Sequence, residues 1–351
     1  MTTSVWLDQD PGHDDAIATL LALSSPALNL VGISTVHGNG SLKHTTLNAA
    51  RVLCSFGSPD QAARIPIYSG AQKPLLRPVK HDPEIHGDDG LGGVEGLLSS
   101  SDPRVLRKVQ ENEGKSAVMG IAEAARAMPG GEGDEGRLAL VATGTLTNIA
   151  LFCATFPELV RDKISQIVLM GGAEGRGNRS PTAEFNILCD PEPLNVTHTA
   201  LFTPSDNSRL LQRIPNSPHS TGARTQLRHT ISTLLMFFAS TYDKVFGFKD
   251  GPPIHDPLCI AYLSHPHLFE GKRYRVDVEL HGKHTAGTTS VDLWDYRLPE
   301  LTAMSDPESR ESWGRLGKNV WVAEKLDVEG FWKLFQDSVD WADKVSPLNT
   351  K

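Results

Sequence analysis

The chain has 351 residues, a formal net charge of −8 and 39% hydrophobic residues, enough apolar material for one large domain or two ordinary ones. Mild acidity without a basic stripe argues against a nucleic-acid polymer as ligand. No run of about 18 apolar residues is present, which argues against a membrane span.

Met-Thr-Thr-Ser-Val-Trp at the start has neither a basic n-region nor an apolar h-region, so no signal peptide is expected. Cys54, Cys153, Cys189 and Cys259 lack C-x-x-C spacing and read as reduced core residues. The expected setting is the cytoplasm, without contact to a membrane.

Ser4 to Asp8 reads as a short buried strand, and Asp15 to Leu23 as a buried helix that Pro26 ends. Leu30 to Val36 is a second strand, closed by His37-Gly-Asn39-Gly, and Thr45 to Phe56 a second helix. Ile65 to Tyr68 is a third strand. Strand, polar turn and helix thus repeat, which predicts βαβ units and a doubly wound, mostly parallel α/β sheet with helices on both faces. Pro74 to Ser101 is a long loop containing His86-Gly-Asp-Asp-Gly90, and a loop of that length inside a domain is often functional. Ser116 to Met128 is a helix, Arg137 to Thr143 a strand, and Gly144 to Asn148 the turn into a helix over Ile149 to Thr155. Ile164 to Met170 is a strand ending in Gly171-Gly172, and a polar loop runs from Asn178 to Asn186.

Leu194 onwards is a short strand-like piece. Pro204 to Arg228 is polar and irregular, and Thr230 to Phe246 is a helix; together they predict a helical and loop insertion at about 204–250. Phe238 and Tyr242 share a face of that helix. Gly251 to Pro257 leads into the apolar segment Leu258 to Leu263. Arg273 to Leu280 alternates and predicts one exposed-face strand, with Thr288 to Asp292 as its partner. Asn319 to Ala323 is a further strand and Val328 to Val345 a closing amphipathic helix. No repeat at solenoid period is visible, so residues 1–351 are expected to form a single domain.

The densest chemistry is Asp8-Gln-Asp10-Pro-Gly-His-Asp14-Asp15, four carboxylates in eight residues between two apolar runs. Hard oxygen ligands at a strand-to-helix turn suit a divalent cation. A solvated acidic loop that caps a helix is the plainer alternative. In a parallel sheet, ligands bind beyond the carboxyl ends of the strands, and Asp10, Asp14, Asp15 and Asn39 all follow predicted strands. An EF-hand is excluded, because its sixth and twelfth positions would be His13 and Thr19. A phosphotransferase with an Asp nucleophile leaves Glu184-Phe-Asn186 and His255-Asp256 unexplained.

Taken together, Asp8-x-Asp10-x-Gly12-x-Asp14-Asp15, Leu169-Met-Gly-Gly172, Asn178 with Glu184-Phe-Asn186, and His255-Asp256-Pro resemble the nucleoside hydrolases. The stretch from Phe237 through Tyr242 to His255-Asp256 is similar to the fungal uridine ribohydrolase branch. The resemblance covers nearly the whole chain. It implies hydrolysis of the N-glycosidic bond of ribonucleosides, with uridine expected and cytidine or purine nucleosides as alternatives. It implies one Ca²⁺, held by Asp10, Asp15, the Thr143 carbonyl and Asp256, with Asp10 as base for a calcium-bound water. Ribose would be held by Asp14, Asn39, Asn178, Glu184 and Asn186, with Met170 beneath it. His255 would sit near the leaving base, with His86 and Tyr242 as candidates for contacts to it. A homodimer or homotetramer is implied as well. The chemistry stands without the family. Glycosidic cleavage passes through an oxocarbenium-like state, which surrounding carboxylates and amide oxygens stabilise.

One departure stands out. In the family a helix and a core strand follow the Asp-Pro-Glu segment, whereas here Pro193 alone separates Glu192 from Leu194. A βα unit is therefore expected to be deleted near residue 193, since a parallel crossover needs a dozen residues or more. A destabilised, catalytically impaired relative is the alternative reading this deletion raises.

Overall fold

The computed structural model describes residues 2–131, 135–173, 175–191, 200–201, 210, 222–294 and 318–350. Five parallel strands form the central sheet: β1 (Thr3–Gln9), β2 (Leu28–Thr35), β3 (Ile67–Ser69), β4 (Leu138–Ala142) and β5 (Ile164–Leu169). Their order is β3-β2-β1-β4-β5. The chain winds outward from β1 on one side and from β4 on the other. The loops leaving these two strands diverge, and a crevice opens at their carboxyl ends.

Side chains alternate along each strand, so the sheet feeds two cores. Val5, Leu7, Ala139 and Val141 enter one. It is closed by α1 (His13–Ser24), α2 (Leu42–Phe56), α10 (Gln226–Phe246), α11 (Pro257–Ser264) and α12 (Val328–Val345). Trp6, Leu138, Leu140 and Ala142 enter the other, against α6 (Ala117–Ala127), α7 (Thr147–Thr155) and α8 (Pro157–Lys163). β1 and β4 are buried on both faces, which is why their sequences are continuous apolar runs rather than alternating ones.

α1 begins where the sequence suggests. Gly12 is its N-cap, Asp14 and Asp15 fall in the positive first turn, and the Gly12 N–H donates to Asp15. Arg228 in α10 is fully buried, where it donates to Asp343 at 2.5 Å and pairs with Asp340, locking α10 to α12.

The segment Arg273 to Leu280 is not one strand. It divides into β8 (Phe269–Tyr274), antiparallel to β11 (Val320–Leu326), and β9 (Val276–Val278), antiparallel to β10 (Thr289–Val291). Short elements appear that composition did not reveal: α3 (Pro59–Arg64), α4 (Pro83–His86) inside the long loop, α5 (Pro103–Gln110), α9 (Phe185–Cys189), and β6 (Ala200–Leu201) paired with β7 (Pro253–Ile254). Most of the expected insertion before α10, the strand-like piece from Leu194 and the expected deletion at Pro193 lie outside the described residues.

The sheet nevertheless ends abruptly. Among the described residues β5 has no neighbour on its outer side. A cavity of about 380 Å³ runs beside it, lined by Ile167, Leu169, Leu258, Tyr262, Phe269 and Trp321 among others.

Candidate active site

The crevice beyond β1 and β4 gathers the expected site residues. Asp14, Asn39, His86, Thr143, Met170, Asn178, Glu184, Asn186, Tyr242, His255 and Asp256 all line one cavity. Asp10 and Asp15 are fully buried and tied to that wall through Asn39 and Thr143.

Asp10 leaves β1 in the turn before α1. Its Oδ2 accepts from the Asn39 N–H at 2.7 Å, while its Oδ1 is buried with no hydrogen-bond partner. Backbone packs so closely here that a Cβ on Gly38 would fall 1.9 Å from Asp10 Oδ2, and one on Gly12 2.4 Å from His86 Nδ1. Only glycine permits this approach. Asp15 accepts from Thr143 Oγ1 at 2.7 Å and from Asn39 Nδ2 at 3.3 Å. Asp256, the N-cap of α11, faces the carboxyls of both Asp14 and Asp15. Oxygens of Asp14, Asp15 and Asp256 lie within 4.8 Å of one another. The expected assignment gave Asp14 to ribose alone; the geometry puts it beside the two expected ligands. The Thr143 carbonyl accepts from Asn186 Nδ2 at 2.9 Å, leaving its second lone pair.

Burial raises all four aspartates. Asp10 and Asp256 rise well above the carboxylate range, Asp14 goes to about 7 and Asp15 also rises, with neighbouring carboxylates adding to the effect on Asp10, Asp14 and Asp256. Among the described residues no lysine or arginine forms an ion pair with any of the four. Buried like charges of this density are tolerated only when protonated or when paired with a cation.

Glu184 caps α9: Oε1 accepts from the Asn186 N–H at 3.0 Å, and Oε2 from Gly172 and Ile187 at 3.1 and 3.3 Å. Burial outweighs these bonds and holds its carboxyl at about 7. Asn186 Nδ2 also reaches the Met170 sulfur at 3.3 Å, which fixes Met170 on the wall. Tyr242 packs edge-on to Phe238 at 4.9 Å and against Phe246. Burial lowers His255 to about 4 and His86 well below the usual imidazole range, so both rings are neutral at pH 7.

Further wall residues were not assigned to the site from the sequence: Asp82, Ile85, Arg179, Phe185, Phe238 and Phe246. Phe238, Tyr242 and Phe246 recur every four residues, and that spacing on one helix face could have pointed to them. Arg179 pairs with Asp82, and with Glu84 at 3.1 Å. It also lies over the Phe246 ring at 5.8 Å, so one side chain clasps three walls. The cavity beside this clasp measures about 40 Å³.

Fold and site define a doubly wound α/β protein with a buried polycarboxylate centre at its switch point. The profile of the inosine-uridine preferring nucleoside hydrolases matches residues 5–333. A probable ribonucleoside hydrolase from Dictyostelium discoideum is 35% identical over 96% of this chain and 94% of its own length. The pyrimidine-specific ribonucleoside hydrolase RihA from Shewanella woodyi is 39% identical over 84% of this chain and 89% of its own. Among solved structures, a purine-preferring ribonucleoside hydrolase from Gardnerella vaginalis superposes with a TM-score of 0.76, at 27% identity, over 98% of this chain and all of that one. The chain belongs to the inosine-uridine preferring nucleoside hydrolase family and is a nucleoside hydrolase.

Proposed function

We propose that the chain hydrolyses the N-glycosidic bond of pyrimidine ribonucleosides, uridine above cytidine, to ribose and the free base, with Ca²⁺ as its resident ion. One observation carries the reading: four buried aspartates, without a cationic partner among the described residues, lie beside Asn39, Glu184 and Asn186 at the switch point. The similarity to pyrimidine-specific relatives supports the substrate class.

The donor set fits a hard divalent cation. It is all oxygen, and Asp10 Oδ1 is a buried acceptor with nothing to accept from. Asp14, Asp15 and Asp256 bring oxygens close enough to share one ion; Asp10 and the Thr143 carbonyl, tied to the same wall through Asn39 and Asp15, would complete the set. When bound, it acidifies water and orients ribose hydroxyls. Asp10 would take the proton of the attacking water, its carboxylate held in place by the Asn39 N–H and with Oδ1 free to accept. Asn39, Asn178, Glu184 and Asn186 supply the mixed donors and acceptors that a ribose diol needs. Their oxygens, with those of Asp14, favour the positive charge that grows as the C–N bond breaks. His255 donates a hydrogen bond to the departing base from its one N–H, and His86 and Tyr242 contact the base.

Release of free base from uridine, cytidine, inosine and adenosine tests this. Uridine is cleaved fastest, and Asp10→Ala is silent. Cleavage of none, or undiminished uridine hydrolysis by Asp10→Ala, overturns the assignment. The reading extends to a cytoplasmic homodimer or homotetramer, which light scattering measures. A second reading, a catalytically impaired relative, is favoured by one feature: the outer edge of β5 has no neighbouring strand among the described residues.

A further inference from the structure

Behind His86 lies His13, the first residue of α1, fully buried and directly preceding Asp14. Its ring stacks on Phe237 and Phe238 of α10, with centroids 5.2 and 5.4 Å away and planes within 11° and 4° of parallel. Two polar contacts fix its edge. Nε2 is 3.0 Å from the Gly92 carbonyl oxygen, and Nδ1 is 3.3 Å from Nδ1 of His86.

These contacts determine where the protons sit. A carbonyl oxygen can only accept, so His13 Nε2 carries a hydrogen. The ring's partners are two phenyl groups, a carbonyl and another imidazole. None is a carboxylate; Asp89 acts on the ring without touching it and burial outweighs it, so His13 Nδ1 is a bare lone pair. The nitrogen opposite, His86 Nδ1, is then the donor. One contact competes: the His13 backbone N–H lies 3.4 Å from His86 Nδ1 and would prefer a lone pair there. Obeying it would set two ring lone pairs against each other at the shorter distance of 3.3 Å. The ring-to-ring bond is therefore the better arrangement, and it holds only while His13 offers its lone pair.

We infer that His13 is a positioning residue that keeps the hydrogen of His86 on Nδ1. His86 thereby presents an unprotonated Nε2 to the cavity and accepts a hydrogen bond from the substrate. No described protein group pairs with that Nε2, and His86 is part of the cavity wall. The site then selects a ligand that offers an N–H or O–H at this point. Only the identity of that ligand rests on the nucleoside hydrolase reading; the tautomer does not.

Two substitutions separate this role from simple packing. His13→Gln keeps a donor where Nε2 reaches Gly92 but removes the Nδ1 lone pair. His13→Asn keeps an acceptor oxygen near Nδ1 but gives up the Gly92 bond and more volume. Two-bond ¹H–¹⁵N spectra of the full chain, with ¹⁵N-labelled histidine, read the tautomer directly, His86 being assigned by its loss in His86→Asn. The wild-type chain and His13→Asn are expected to show His86 protonated at Nδ1, and His13→Gln to show it at Nε2. The KM for uridine is expected to rise about tenfold in His13→Gln, equivalent to ~1.4 kcal/mol, and clearly less in His13→Asn. A structural role alone predicts the reverse order. An Nε2–H tautomer in the wild type, or no change of tautomer in His13→Gln, overturns the inference. Absence of hydrolysis with any nucleoside would instead count against the proposed substrate, and the spectra would still decide the tautomer.

Discussion

Removing and restoring a divalent cation tests the polycarboxylate centre most directly. Asp14 ionises near pH 7 rather than near its usual 3.8 because it is buried beside Asp15. At ~1.36 kcal/mol per pH unit, that difference is worth about 4 kcal/mol for one group. A carboxyl raised in the folded state stabilises the fold below its unfolded value, and the contribution is lost as pH rises through the folded value. The metal-free chain therefore weakens between about pH 4 and pH 7. A cation that pairs with the ionised carboxylates restores what was lost, so its benefit grows with pH over this window. At about 100 times the dissociation constant, a ligand adds ~2.7 kcal/mol. With an unfolding entropy of ~2.1 cal/mol/K per residue over the whole chain, this is a rise in Tm of about 4 °C. Differential scanning calorimetry of EDTA-treated protein, with and without Ca²⁺ at several pH values, measures it. Titration calorimetry in two buffers of different ionisation enthalpy should show protons released on binding below about pH 7. Melting that ignores Ca²⁺ at every pH, a gain that shrinks as pH rises, or an equal gain in Asp256→Asn would refute the reasoning.

Asp10→Ala should lower uridine cleavage by at least ~10³-fold, the range for loss of a general base, while the circular dichroism of the native fold persists. Glu184 has a folded value of about 7 against an ordinary 4.5. Its stabilising contribution is complete below about pH 4.5 and lost through pH 7, ~3 kcal/mol in all. Chemical denaturation should accordingly show wild-type stability falling relative to Glu184→Gln across that window, and parallel curves would sink the assignment. Inserting a crossover helix and strand between Glu192 and Leu194 should raise the Tm by covering β5; equal melting temperatures would show that nothing is missing there.

The sheet was legible because β1, β2, β4 and β5 are apolar runs broken by polar turns, and buried parallel strands have no other way to be written. Arg273 to Leu280 was not, because its alternation continues unbroken while its partner changes from β11 to β10 at Arg275. Partner choice is a long-range property that a local pattern does not carry. At the site, the carboxylates and the cavity-lining amides lay in compact motifs and could be named in advance. Asp14 could not be placed beside Asp256 in advance, because nothing in the spacing says which way the first turn of α1 faces α11. The Arg179 clasp and the His13–His86 pair are invisible for the same reason: 97 and 73 residues separate the partners.

The 40 Å³ cavity has a kinetic consequence. Ligand pockets that swallow small molecules are typically ~300 Å³ or larger, so a nucleoside needs more room than the clasp leaves, and Arg179, which ties α4 to Phe246, is the side chain that would have to give. Where that release is slower than docking, association is gated: its rate follows how often the clasp opens rather than how well the visitor fits. Ligands of different affinity should share one onset rate at saturation and differ in how long they stay. A tight-binding inhibitor of this chain would be distinguished by its residence time alone.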